Sequence, residues 1–406
     1  MTTTNWPPVR DLTYKAIIVF ICLSFFSLSV GTAPLTLSSL SALAIWLLTG
    51  RCYKDRADWL EQEWLLPVSA LCILPWVAIL WSSAPIDQAV KIAERSHYWL
   101  FAFMAASAMK SERIVRNVLI CFVSGTVVVA IIRFLHYHEI IPKTAYLDKA
   151  FSVSYITYSL FVVIAVALLA FFVRSMPTFF GKIVTVVLIV GLVLTITQLY
   201  GRSGYLALAV LSPWICTAMI GKCRLFPILV AVLVILTLLF TSQKVRARIA
   251  LIPMQIKLYQ PGTSPSYTAS DGTQIPSSVG LRLMMWNDAL TIIQRYPLFG
   301  AGTGAYQHEA IKINPKNVWP HPHNSYLYIA ASYGILGIWL YGWLLVVTLK
   351  RAWRARDQLS GHSILAFLFV ILIGSLTDTQ VLSAATGIAL GFIAGIPTRK
   401  PTECAS

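Results

Sequence analysis

The sequence predicts an all-α integral membrane protein with about twelve transmembrane helices and one large, partly helical periplasmic loop. Of its 406 residues, 57% are hydrophobic and 12% are charged, which is far too apolar for an ordinary soluble domain. Apolar runs of roughly the 20 residues that a bilayer core requires recur along nearly the whole chain. The runs lack the period-two alternation of barrel strands, so a lipid-exposed backbone must satisfy its hydrogen bonds as helices.

Twelve segments are predicted as spans, and the second, fourth, ninth and last are short for a full crossing. In chain order they are residues 12–31, 34–49, 65–83, 96–109, 114–135, 152–173, 182–200, 203–220, 225–240, 324–348, 363–379 and 381–397. The even count predicts that both termini lie on the same side of the membrane.

The distribution of positive charge predicts which side that is. The net charge of +16 would suggest a nucleic-acid partner in a soluble protein, but the positive-inside rule accounts for it in a membrane protein. With a cytoplasmic N-terminus, the inner loops hold more than half of the 32 Lys and Arg residues. All seven cysteines then fall within spans or on the cytoplasmic side. We therefore expect cytoplasmic termini, no disulfide and no nucleic-acid partner.

The chain divides into three predicted regions within one integrated membrane domain. Residues 1–240 hold the first nine spans, residues 241–322 form the periplasmic loop, and residues 323–406 hold the last three spans and a short cytoplasmic tail. A loop of this length in a compact protein usually carries function. Its segment from Thr263 to Ser278 is rich in Ser, Thr, Pro and Gly, which is typical of a mobile loop.

An amphipathic helix is predicted later in the same loop. Leu283, Trp286, Leu290 and Ile293 recur at helical spacing, and Pro297 ends the pattern. We expect the apolar stripe to place this helix in or near the periplasmic interface of the membrane.

Three alternating glycines follow this helix in the segment PLFGAGTGAY. Gly300, Gly302 and Gly304 resemble part of a dinucleotide-binding loop, but no strand–helix–strand pattern surrounds them. We expect a tight loop that either orients the preceding helix or offers backbone N–H groups to an anion. No nucleotide and no other cofactor is expected.

Several arginines are predicted on the periplasmic side, where topology does not require positive charge. Arg202 separates the seventh and eighth spans, Arg282 opens the amphipathic helix, and Arg246 and Arg248 follow the ninth span. A planar guanidinium suits bidentate contact with phosphate, so these residues predict a site for a lipid-linked phosphate or pyrophosphate. The alternative for Arg202 is a side chain that only reaches the headgroup region, and for the others a solvated surface.

Two histidines precede the tenth span in the segment WPHPHNSYLY. An imidazole can take a proton from a hydroxyl at neutral pH. We predict His323 as a general base that Asn324 could orient, and His321 as a neighbour that shapes the site, with Pro320 and Pro322 holding the approach extended. A structural role at the helix start is the alternative for both histidines. Their i, i+2 spacing matches no known zinc motif, so no metal is expected.

One acidic residue lies near the outer end of the last helix pair. This residue, Asp378, is predicted at the end of the eleventh span. An ionisable group at membrane depth is a functional candidate by default, and this one could orient His323 or an arginine. The alternative is an acid that ends a helix in a short turn.

These residues resemble the signature of the O-antigen ligases, a family within the superfamily of bacterial polysaccharide ligases and polymerases. The signature is a histidine followed by Asn and, further on, by Gly-x-x-Gly, here His323, Asn324, Gly334 and Gly337. The resemblance covers most of the chain, including the number of spans, the cytoplasmic termini and the large loop before the histidine.

The arginines also match this family. Arg202 and Arg282 correspond to two arginines that are essential there, and Asp378 to an acidic position in the penultimate helix. A second pattern comprises Arg282, Trp286, Ala289, Leu290, Pro297, Leu298, Gly300 and Gly302. One departure is that Ser commonly precedes the first arginine, whereas Gly201 does so here and Ser203 follows it.

The resemblance implies a ligase that moves an O-antigen glycan from undecaprenyl pyrophosphate to a sugar hydroxyl of lipid A–core, at the periplasmic face of the bacterial inner membrane. It implies an inverting reaction without ATP or metal, with His323 as base and Arg202 and Arg282 on the pyrophosphate. The nearest rival is an O-antigen polymerase that uses the same donor. A transporter of lipid-linked oligosaccharide is a more distant alternative. It would need charged residues near the midplane of several spans, and the predicted spans have almost none.

Overall fold

The computed structural model describes residues 9–141, 153–199, 201–220, 225–241, 243–257, 259, 266–268 and 274–398. Over these residues the chain is almost entirely helical, which confirms the predicted class. One small hairpin is the exception: strands β1 (Ser266–Thr268) and β2 (Gln274–Pro276) pair antiparallel, with Tyr267 opposite Ile275. This hairpin lies in the segment predicted as a mobile loop, half of which is outside the described residues.

The first part of the chain forms long apolar helices joined by short ones. Before residue 142 the helices are α1 (Val9–Val30), α2 (Thr32–Leu48), α3 (Arg51–Lys54), α4 (Ala57–Leu60), α5 (Leu65–Val77), α6 (Ile86–Ala93), α7 (Leu100–Ala108) and α8 (Glu112–Tyr137). The predicted third and fourth spans are each partly 3-10 helical, at Ala78–Trp81 and Glu94–Trp99.

The rest of the chain holds the candidate site residues. Its helices are α9 (Tyr155–Ser175), α10 (Phe179–Gln198), α11 (Arg202–Ile220), α12 (Leu225–Thr241), α13 (Gln243–Lys257), α14 (Ser278–Arg295), α15 (Ala305–Ile313), α16 (Ser325–Arg354), α17 (Leu359–Ser375) and α18 (Ala384–Gly395). A 3-10 turn, Gln380–Leu382, separates the last two helices.

Among the described residues, five helices are long and apolar enough to cross a membrane by length and composition. They are Leu12–Val30, Glu112–Tyr137, Tyr155–Ser175, Phe179–Gln198 and Ser325–Arg354. Shorter apolar helices are Thr32–Leu48, Leu65–Trp81, Leu359–Ser375 and Ala384–Gly395. A helical segment lies at each predicted span, and the protein is a multi-pass membrane protein. The count of twelve and the side on which the long loop lies stay predictions.

Helix α9 forms the centre of the bundle. Its apolar window is 83% buried by the rest of the protein, whereas the window of α10 is only 28% buried. Helices α8, α10, α11 and α17 pack around it. The start of α9 and the end of α17 therefore meet at one end of a rigid core, where the candidate site residues lie.

The predicted amphipathic helix is present as α14, but a different face of it is buried. Met284, Met285 and Ala289 are buried against α15 and α16, whereas Leu290 of the predicted stripe is 50% exposed. The packing surface contains the small side chain of Ala289 and the hydrogen-bonded Asp288, and the position of the apolar stripe at the membrane interface stays a prediction. Sequence periodicity alone cannot distinguish a protein-packed face from an adjacent apolar face.

Helix α16 is broken one third of the way along. At Gly334 the backbone has a φ of 61° and a ψ of −154°, so the helix cannot continue through it. The carbonyls of Ala331 and Ser332 consequently accept hydrogen bonds from outside the helix. They accept from the N–H groups of Ala301 and Gly302, at 2.9 and 3.0 Å.

The alternating glycines therefore hold the break in α16. A Cβ at Gly334 would lie 2.4 Å from the backbone of Leu298, and one at Gly300 would lie 2.3 Å from the backbone of Ser332. The two backbones approach closely only because both positions are glycine. The N–H groups of Ala301 and Gly302 donate to carbonyls of α16 and are therefore not available to an anion. Of the two roles predicted for this loop, the structural one is observed.

Candidate active site

His323 lies immediately before the start of α16. Asn324 is the N-cap of this helix, and its side-chain oxygen accepts from the N–H groups of Tyr326 and Leu327, both at 3.0 Å. His323 itself has a φ of +49°, in the left-handed region that non-glycine residues rarely adopt. The backbone thus turns at the histidine itself, although the sequence predicted a simply extended approach.

The ring of His323 pairs with Asp378. Its Nδ1 lies 2.8 Å from Oδ1 of the carboxylate, and 24% and 18% of the two side chains are exposed, so the pair is partly desolvated but reachable. Helix α17 ends at Ser375, which places Asp378 in the turn beyond the helix and not within a span. We call these two residues the His–Asp pair.

The carboxylate of Asp378 favours one tautomer of the histidine. Burial alone would raise the pKa of Asp378, but the hydrogen bond and charge of His323 and the N–H of Thr379 outweigh burial and hold the pKa below its usual range. An ionised carboxylate accepts a hydrogen bond from Nδ1–H, so the neutral ring presents the lone pair of Nε2. That nitrogen is suited to accept a proton from a hydroxyl.

Backbone hydrogen bonds fix the His–Asp pair from both sides. The side chain of Asn324 donates to the carbonyl of Leu376 at 3.2 Å, and its N–H donates to the hydroxyl of Thr379 at 3.2 Å. The hydroxyl of Ser325 donates to the carbonyl of Asp378 at 3.3 Å. Asn324 therefore orients the segment that carries His323, and it does so through the backbone and not through the ring.

His321 is a close neighbour of the pair. Its ring centroid lies 4.5 Å from that of His323, and its Nδ1 accepts from the N–H of His323 at 3.4 Å. Burial lowers the pKa of His321 to about 4. His321 is therefore neutral and a weak base at neutral pH, which leaves it in a supporting position.

Arg202 and Arg282 line one cavity of about 240 Å³, here called the arginine cavity. Arg202 begins α11 and Arg282 lies in the second turn of α14. Arg282 donates from Nε to the carbonyl of Thr377 at 3.2 Å and from Nη1 to that of Ser278 at 3.1 Å. Burial lowers its pKa from the ordinary value, against the opposing charge of Asp378, but an arginine stays cationic in proteins. The cavity suits an anion with several oxygens.

Two contacts join the arginine cavity to the His–Asp pair. Thr377 lines the cavity and precedes Asp378 in the chain. Trp286 also lines the cavity, and its indole N–H donates to the carbonyl of Pro322 at 3.0 Å, next to His323. The candidate base and the two cations are thus held in one structural unit.

The other two candidate arginines are not brought to this cavity. Arg246 is exposed on α13 and does not line it. The side chain of Arg248 lies outside the described residues.

One group of side chains in the described part of the chain could hold a metal ion. His321, His323 and Asp378 offer ligand atoms that all lie within 4.8 Å of one another. The same atoms already form a complete hydrogen-bonded pair, and Arg95 adds positive charge near His321. These hydrogen bonds satisfy the three side chains as they stand, and their arrangement does not require an ion.

Sequence reasoning missed some residues of the site. Tyr155 and Thr377 line the arginine cavity, and Thr379 caps the backbone of Asn324. The two threonines flank Asp378, and that proximity is the only sequence signal that could have indicated them. Tyr155 follows a predicted span start and carries no such signal.

Comparison with known proteins agrees with the sequence motifs. Residues 183–342 match a family model described as O-antigen ligase. The match covers less than half of the chain and contains Arg202, Arg282 and His323, while Asp378 lies beyond it. A search among curated proteins finds no match. Residues 183–342 are thus similar to the O-antigen ligase family, in agreement with the motifs around His323 and the two arginines.

Proposed function

We propose that this protein is an O-antigen ligase that transfers O-antigen polysaccharide from undecaprenyl pyrophosphate to a sugar hydroxyl of lipid A–core. The observation that carries the proposal is the arginine cavity joined to the His–Asp pair through Thr377 and Trp286. A cationic cavity beside a base is what transfer from a pyrophosphate donor to a hydroxyl requires. In this proposal the site faces the periplasm, the chain lies in the inner membrane, and both termini are cytoplasmic.

The proposed mechanism is a single inverting displacement. Nε2 of His323 takes the proton of the acceptor hydroxyl as its oxygen bonds to the anomeric carbon. The bond from that carbon to the pyrophosphate oxygen breaks, and its electron pair leaves with the pyrophosphate. Arg202 and Arg282 neutralise the charge on this leaving group, and Asp378 stabilises the imidazolium. Attack opposite the leaving group inverts the anomeric centre.

No general acid is needed, because pyrophosphate is a good leaving group when cations neutralise it. The proposal also assigns no metal and no cofactor, since the two guanidinium groups supply the positive charge. Transfer should therefore continue at the same rate after EDTA treatment. A loss of activity on chelation, restored by a divalent cation, would indicate that His321, His323 and Asp378 bind a metal ion. His323 would then not act as the general base.

Reconstitution with both acceptors separates the ligase from the polymerase. Purified protein is supplied with the lipid-linked donor, together with lipid A–core and a second lipid-linked glycan as competing acceptors. A ligase gives glycan-bearing lipid A–core, whereas a polymerase gives a longer lipid-linked glycan. In cells, loss of a ligase leaves free core with long lipid-linked polymer, and loss of a polymerase leaves core bearing one repeat unit. Transport of the donor across vesicles without transfer would contradict both enzymatic assignments.

A further inference from the structure

A groove opens between α8, α9 and α10, far from the proposed active site. Its volume is about 670 Å³. Its lining includes Arg113, Arg116, Val123, Ser124, Phe172 and Leu188.

The groove lies at the opposite end of the helix bundle from His323. Glu112, in its wall, accepts a hydrogen bond from the N–H of Ser360 at 3.2 Å, in the first turn of α17. Asp378 follows the last turn of the same helix. The 17 residues of α17 span roughly 25 Å at 1.5 Å each, which is close to the thickness of a bilayer core. The groove and the active site thus lie near opposite faces of the membrane.

Two arginines and one glutamate give the mouth of the groove a net positive charge. Arg113 and Arg116 are exposed, and neither has an ion-pair partner among the described residues. The nearby carboxylate of Glu112 is occupied by the N-terminus of α17. Lys110 at the same end, by contrast, pairs with Asp58 at 2.8 Å. The two arginines therefore differ from Lys110 in having no ion-pair partner among the described residues.

The walls of the groove are apolar below this charge. Val123 and Phe172 are buried in its floor, and Leu188 closes it from the side of α10. The peripheral position of α10, only 28% buried, leaves the groove accessible from the lipid. Positive charge at the headgroup level above an apolar slot matches an anionic lipid, whose phosphate and acyl chain need both features.

We propose that this groove binds an anionic glycerophospholipid, with its phosphate at Arg113 and Arg116 and an acyl chain along Val123, Phe172 and Leu188. A zwitterionic lipid would bring a cation of its own to the two arginines and bind more weakly. A soluble phosphate would leave the apolar walls uncovered. This site is separate from the proposed transfer reaction and stands whether or not that reaction is correct.

Native mass spectrometry of the purified full chain tests the proposal. The protein is titrated with phosphatidylglycerol and, separately, with phosphatidylcholine of the same acyl chains. Wild type should retain several-fold more phosphatidylglycerol, and inorganic phosphate should not displace it. The double variant Arg113→Gln, Arg116→Gln should lose this preference. The control Arg174→Gln, Lys182→Gln removes the same charge from the same end outside the groove lining, and it should keep the preference.

A second variant tests the apolar slot without changing charge. Ser124 is exposed and lines the groove, so Ser124→Trp should fill it and lower phosphatidylglycerol binding while both arginines stay in place. Equal retention of the two lipids by wild type would overturn the proposal. So would an equal loss in the Arg174, Lys182 control, since binding would then follow net charge alone.

Discussion

The His–Asp pair and the arginine cavity are adjacent but built in different ways. The pair is fixed by hydrogen bonds between two chain segments, 324–325 and 376–379, and each of these bonds joins a side chain to a backbone group. The cavity takes its cations from the starts of two separate helices, α11 and α14. Proton transfer needs an ångström-scale geometry, whereas neutralising a pyrophosphate mainly needs charge nearby. We therefore expect variants of the pair to impair turnover and variants of the cavity to impair donor binding as well.

The largest effect is expected from His323→Ala. Removing the base should lower kcat roughly 10³-fold, within the range that a positioned general base contributes. The measurement is the initial rate of glycan transfer by purified protein. His308→Ala is a suitable control, because His308 is exposed on α15 away from the pair. A rate for His323→Ala close to that of wild type would mean that the base lies elsewhere.

The next effect is expected from Arg282→Gln. Losing one cation should lower kcat/KM on the order of 10²-fold, since a charge aimed at the leaving group is removed. Arg295→Gln provides a matched control: it lies on the same helix, is exposed and does not line the cavity. Equal rates for the two variants would show that the arginine cavity does not contact the donor.

A smaller loss is expected from Asp378→Asn. The segment that carries His323 keeps its place through Asn324 and Ser325. The ring, however, loses the ionised carboxylate that fixes its tautomer and stabilises its protonated form. The rate should fall about 10-fold to 100-fold, as for other residues that orient a functional histidine. Donor binding should be unchanged in an equilibrium titration. A weaker donor affinity would mean that Asp378 contributes to the arginine cavity and not only to the His–Asp pair.

A side chain at Gly334, where the backbone of α16 closely approaches the loop that contains Gly300, should lower the stability of the protein. Gly334→Ala places a Cβ 2.4 Å from backbone at a positive φ, which costs about 1–3 kcal/mol and should lower Tm by a few degrees. Gly342→Ala lies on the same helix, where a Cβ meets nothing within 4 Å, and should leave Tm unchanged or raise it. If both variants melt alike, the break in α16 is not held by the glycine loop.

The smallest effect is a pH dependence of stability. Because the folded pKa of Asp378 is depressed, its contribution is present above the ordinary carboxyl pKa of about 3.9 and is lost as the pH falls through the folded value. The difference in Tm between wild type and Asp378→Asn should therefore be constant near pH 6 and shrink on acidification below pH ~4. Asp87→Asn, at an exposed position, should show no such difference. A gap that widens towards low pH would contradict the assigned shift.

Sequence alone was sufficient for the helical membrane class, and it named most of the residues that the structure brings together at the candidate site. Apolar runs mark helices because lipid leaves the backbone no other partner. His323, Arg202 and Arg282 were recognisable because each is a charged or basic group where topology does not explain it. The pairing of His323 with Asp378, 55 residues apart, was one of three roles that the sequence left open for Asp378.

Other features could not be predicted, because they depend on which surfaces meet. The buried face of α14 is set by Ala289 and Asp288, and the more apolar Leu290 stays half exposed. The glycine series indicated a tight loop, but not that its partner would be a broken helix 30 residues later. The left-handed backbone of His323 has no signature, since histidine seldom adopts it.

The most direct test measures donor binding and turnover of two variants side by side. Purified His323→Ala and Arg282→Gln are titrated with the lipid-linked donor and then assayed for transfer to lipid A–core. His323→Ala should bind donor like wild type but transfer almost no glycan, whereas Arg282→Gln should bind donor more weakly. Equal donor affinity with equal turnover in both variants would contradict the division between a base and a pyrophosphate site.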